Sequence, residues 1–63
     1  MICEYDKVII KSNGVRGEVI DICKIQGETI YTIESEEKGV PGGYGSKDSW
    51  KLFRCRKTEI EKL

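Results

Sequence analysis

From Val8 to Ile22 the chain reads VIIKSNGVRGEVIDI, with apolar and polar residues alternating around turn-forming residues. A period of two puts every second side chain on one face of a strand, so the segment predicts two short strands and a tight connection. The first strand is expected from Tyr5 to Lys11, with Asp6, Val8 and Ile10 on one face and Val8 and Ile10 as its core contribution. Ser12, Asn13 and Gly14 form the turn, since Asn and Gly tolerate a positive φ. The second strand opens at Gly17 and runs to about Ile25. Its apolar residues Val19, Ile20, Ile22, Cys23 and Ile25 fall on both faces. A bend or bulge near Asp21 would let Val19 and Ile22 both point inward, as strongly curved strands require.

Gln26-Gly27 reads as a compact hairpin turn. A third strand follows from Glu28 to Ser35, with Tyr31 and Ile33 on one side. Glu36 to Asp48 is then thirteen residues with four glycines and the only proline, and it has no period. Loops this long in so small a domain tend to be functional or disordered. A mobile loop, or one that orders against a partner, is the expectation. A fourth strand covers Trp50 to Arg56, with Phe53 and Cys55 facing in because Arg54 and Arg56 face water. Lys57, Thr58 and Glu59 read as one helical turn, and Ile60 to Leu63 as a short closing strand.

Sixty-three residues make a single domain, which buries only about 60% of its unfolded surface. Eleven basic residues balance eleven acidic ones, which removes the long-range pull on nucleic acid but leaves room for a local basic patch. Cysteines at positions 3, 23 and 55 give an odd count without a CxxC pair. That pattern predicts reduced thiols in a cytoplasmic chain. The N-terminal MICEYDK lacks the apolar run of a signal peptide, and no stretch approaches the ~20 apolar residues of a membrane span.

The segment from Asp6 to Ile22 resembles the start of bacterial SH3-like domains. Within it GVRGEVIDI, Gly14 to Ile22, is similar to the glycine-valine-isoleucine spacing of the KOW motif of ribosomal and transcription-elongation proteins. The tail FRCRKTEIEKL, Phe53 to Leu63, resembles the strand, one-turn helix and strand that close many such barrels. The resemblance implies an all-β, five-stranded SH3-like small barrel with a one-turn helix before the last strand, in a bacterial or phage-like protein. The long Gly-rich loop between strands three and four departs from the compact connection of that family.

Four features carry candidate chemistry. Lys51, Arg54, Arg56 and Lys57 form a run free of acids, where Arg54 and Arg56 share a strand face able to meet phosphates. A solvated outer face that protects an edge strand is the preferred reading of that run. Tyr44 and Trp50 offer a stacking platform for a peptide or a base. Packing against one end of the barrel is the preferred role for Trp50, while Tyr44 stays open between folding over it and joining an exposed platform. The loop Gly39 to Gly45 lacks the following helix and the Lys-Ser/Thr pair of a phosphate-binding loop. Glu34, Glu36 and Glu37 lack the ligand offsets of a calcium loop and read as a solvated stem.

No histidine is present as a base near neutral pH, and no cysteine has a recognisable activating partner, so enzymatic activity and cofactors are not expected. The residues combine into a binding module that captures a protein through Tyr44, Trp50, Lys51, Arg54 and Arg56, as a monomer with no membrane attachment. KOW-like RNA binding is the alternative, and a structural subunit of a larger assembly a third.

Overall fold

The computed structural model describes residues 1–63 as five antiparallel strands in one sheet, with a single 3-10 turn and no other helix. In chain order the strands are β1 (Lys7–Ile10), β2 (Arg16–Ile25), β3 (Glu28–Lys38), β4 (Trp50–Arg56) and β5 (Ile60–Lys62). The 3-10 turn, Lys57–Glu59, joins β4 to β5. Across the sheet the order is β4-β3-β2-β1-β5, so this three-residue link connects opposite edges. In a flat sheet those edges would stand about 19 Å apart, at ~4.8 Å per strand. Four residue steps from Arg56 to Ile60 reach at most about 14 Å, even fully extended. The sheet therefore curls. It does not close through a ladder, because β4 and β5 do not pair with each other.

What joins the two ends is packing. Val8 and Ile10 of β1, Val19 of β2, Tyr31 and Ile33 of β3, Phe53 and Cys55 of β4, and Ile60 of β5 form one buried cluster. Ile2, Val15, Ile22 and Val40 pack around it. All five strands contribute, which places the Val8/Ile10 neighbourhood in the same interior as Phe53 and Ile60.

Local irregularities make the curl possible. The β2–β3 register slips between Val19 and Asp21, where Val19 pairs with Ile33 and Asp21 with Thr32, leaving Ile20 as the extra residue. The bulge restores Ile22 to the inner side, as the mixed parity of β2 required. Gly17 sits where the strands come closest: a Cβ there would lie 2.6 Å from Ile33 Cγ2 and nearer still to the Glu34 carbonyl oxygen. The β2–β3 turn has positive φ at both Gln26 (50°) and Gly27 (83°), the conformation whose twist matches the flanking strands.

The long β3–β4 connection differs from the expected mobile loop. β3 runs three residues beyond the predicted end, to Lys38, and its register on β4 jumps between Glu34 and Lys38. Buried Ser35 bridges that jump. Its hydroxyl donates to the Glu37 carbonyl (2.8 Å) and accepts from the Lys51 N–H (2.9 Å). Beyond it the Gly39 N–H reaches the Ser49 carbonyl, and Tyr44 exchanges two backbone hydrogen bonds of 2.8 Å with Leu52. The connection is thus a strap along the outer edge of β4. Its pairing with β4 is the single bridge at Tyr44–Leu52, and at the preceding Gly43, where φ is 71°, a Cβ would stand 2.9 Å from Phe53 Cζ.

Candidate functional site

Side chains alternate along β4, and this sorts the five candidate residues. Phe53 and Cys55 point inward. Trp50, Leu52, Arg54 and Arg56 therefore share the outer side. Tyr44 lies directly opposite Leu52 in an antiparallel bridge, which puts its ring on that side too. Thr32, Tyr44, Leu52 and Arg54 line one shallow groove. Lys51 falls on the other parity. Its Nζ donates to the Gly42 carbonyl at 3.3 Å, so it ties down the strap and does not join the other four.

Trp50 is not the barrel plug that a core-poor domain suggested. It is 50% exposed and outside the buried cluster, with the Lys38 ammonium 4.4 Å from its ring centroid. Tyr31 and Phe53 already fill the interior, so the indole is left outside, where the cation of the extended β3 end stacks on it. Tyr44 is 67% exposed and does not cover the core.

The two arginines differ in their electrostatic state. Arg56 Nε donates to Glu28 Oε2 at 2.9 Å. Both side chains are more than half exposed, so the pair adds no more than about 1 kcal/mol of stability, yet it neutralises the guanidinium. Arg54 faces Thr32 across the ladder and has no ion pair. It is the free cation of the groove.

Leu52, Glu28, Thr32 and Lys38 of this surface escaped the sequence reading. Leu52 was passed over between Lys51 and the core residue Phe53, although its parity with Trp50 and Arg54 places it on their face. Glu28 lies 28 positions from Arg56, and only strand pairing brings the two together.

A second depression opens on the edge of β4, between that strand and the β1–β2 turn. Ile10, Asn13, Gly43, Phe53, Arg54 and Cys55 contribute to its wall. Burial, then the nearby Glu59 carboxylate, pushes the Cys55 thiol up from its ordinary value, so Cys55 is a protonated packing group at neutral pH. All three cysteines are free. A mixed-charge hollow lined by Asn13, Arg16, Glu36, Glu37 and Pro41 contains none of Tyr44, Trp50, Lys51, Arg54 and Arg56. No group of three or more His, Cys, Asp or Glu side chains is placed to hold a metal ion. No helix is long and apolar enough to cross a membrane.

Comparison with family models, with curated proteins and with solved structures finds no match for this chain.

Proposed function

We propose that this chain is a non-enzymatic protein-recognition module, an SH3-like small barrel that meets its partner through the outer side of β4. One observation carries the reading: Tyr44 and Trp50 stand 67% and 50% exposed beside Leu52 and the unpaired Arg54, while the core draws its aromatics from the inner side. Exposed Tyr and Trp rings beside a free guanidinium are the residue types that concentrate binding energy at interface centres. The curled sheet, the strand order and the 3-10 turn between opposite edges support the barrel reading. The three free thiols support a reducing, cytoplasmic setting.

The test is partner capture by the full chain against a Tyr44→Ala/Trp50→Ala double variant, with chemical cross-linking to retain weak complexes. Both rings are outside the core, so the variant keeps its thermal midpoint and loses the captured protein. Equal capture by both proteins, or unfolding of the variant, refutes the reading.

RNA binding of the KOW-like kind is the second reading, favoured by Tyr44 and Arg54 lining the same groove. A base would stack on the ring and a phosphate would meet the guanidinium. Affinity for RNA would then fall steeply with added salt as counterions are released. A titration without binding at low ionic strength eliminates it.

A further inference from the structure

We infer that the edge of β4 at Arg54 accepts the backbone of an extended, acidic segment of a partner protein, adding it as a short strand between Tyr44 and the 3-10 turn. This deepens the recognition reading above and depends on it. Backbone groups along an antiparallel strand point alternately to its two neighbours. On β4, the Leu52 N–H and C=O point outward, since both bond Tyr44, while the Lys51 N–H points toward β3 and bonds Ser35. Two residues on from Arg54, the outward N–H of Arg56 is taken by Glu59 Oε1 at 2.8 Å. The same alternation turns the N–H and C=O of Arg54 outward. No strand pairs there: the strap's one bridge to β4 is at Tyr44–Leu52, and β5 hydrogen-bonds β1 and not β4. Arg54 is thus an open pairing position between two capped ones, in an edge that its own chain already covers by strand addition one pair earlier.

The chemistry of the partner follows from the pairing. A residue directly opposite Arg54 exchanges two hydrogen bonds with it and places its side chain on the same outer face, beside the unpaired guanidinium. An Asp or Glu is the complement there. The adjacent partner residue, opposite Cys55, points the other way, into the hollow walled by Ile10, Phe53 and Cys55. An aliphatic side chain fits that hollow. The recognised pattern is an aliphatic residue beside an acidic one in extended conformation.

The probe is the capped hexapeptide Thr-Thr-Val-Asp-Thr-Thr, titrated into the isotope-labelled full chain and followed by amide resonances and hydrogen exchange. The Arg54 amide should shift and its exchange should slow several-fold on saturation. Methylating the Asp amide nitrogen, or replacing Asp by Lys, should each weaken binding tenfold or more. The Arg54→Glu variant should prefer the Lys peptide. If the N-methylated peptide binds equally well, strand addition is wrong although side-chain recognition survives. If no peptide perturbs Arg54, this inference fails, and the Tyr44/Trp50 capture experiment still decides the broader reading. Protection of the Arg54 amide in the protein alone, growing with concentration, would instead make the occupant a second copy and overturn a foreign segment.

Discussion

The two sides of β4 are built from alternate residues of one seven-residue strand, and they obey different rules. Inward, Phe53 and Cys55 join a cluster to which every strand contributes, and each position is defined by its neighbours. Outward, Trp50, Arg54 and Arg56 are exposed, with Lys38 stacked on Trp50 and Glu28 paired to Arg56, and only Leu52, bridged by Tyr44, is half-buried. Only ten of 63 residues are buried, and the apolar ones all belong to the inner side, so most of the burial energy comes from there.

Substitution should separate these roles, beginning where the effect is largest. Ile33 is fully buried and central in β3. Ile33→Ala is expected to cost about 2–5 kcal/mol. A domain of this length holds only roughly 3–9 kcal/mol in all, at the usual stability per residue. Thermal melts should show the variant largely unfolded near body temperature; an unchanged midpoint would break the contrast between faces. Ser35→Ala comes next. It strands the part-buried Lys51 N–H and frees the strap, and should cost about 1–3 kcal/mol in urea titrations. Trp50→Ala is expected to stay within about 0.5 kcal/mol of the parent, as exposed substitutions do. A loss comparable to that of Ile33→Ala would return Trp50 to the core.

Thiol chemistry sharpens the same comparison without mutation. Exposed Cys3 should be alkylated first, half-buried Cys23 more slowly, and buried Cys55 only as the domain unfolds. Mass spectrometry of a timed labelling reaction reads the order, and early modification of Cys55 would show that the inner side is open. The smallest effect concerns acid. The Cys3 backbone N–H holds the Asp6 carboxyl below its ordinary value against an opposing push from desolvation, and the Lys62 ammonium adds a smaller pull in the same downward direction. A depressed carboxylate stabilises the fold above its unfolded value of about 3.9, and that contribution disappears as pH falls through the lower folded value. Asp6→Asn should therefore flatten the acid limb of the stability curve slightly, and an unchanged slope would show that the pair is idle.

The long glycine-bearing connection shows where local reading stopped. Its lack of period marked Gly39 to Asp48 as neither helix nor regular strand, whereas its first three residues, Glu36 to Lys38, continue β3. Its course along β4 depends on Ser35 bonding Lys51 across sixteen positions and on Tyr44 bonding Leu52, and neither pairing leaves a trace in local periodicity. The preferred placement of Trp50 erred for a related reason. A shortage of core suggested that every aromatic was needed inside, whereas Tyr31 and Phe53 suffice once the sheet curls.

The number and order of the strands, the tight turn at Gln26-Gly27, the bulge that reconciles Val19 with Ile22, and the inward residues of β4 were legible in the sequence, because each depends on periodicity or on backbone freedom over a few residues. Strand ends were not, since β1 spans only Lys7–Ile10 within the expected Tyr5 to Lys11 and β3 runs on to Lys38. Tertiary structure alone decided which cations are free. Glu28 meets Arg56, Gly42 takes Lys51, Lys38 stacks on Trp50, and Arg54 is left unpaired at an open edge. Those partners are brought together by strand pairing and by the course of the strap, and short-range pattern carries no information about either.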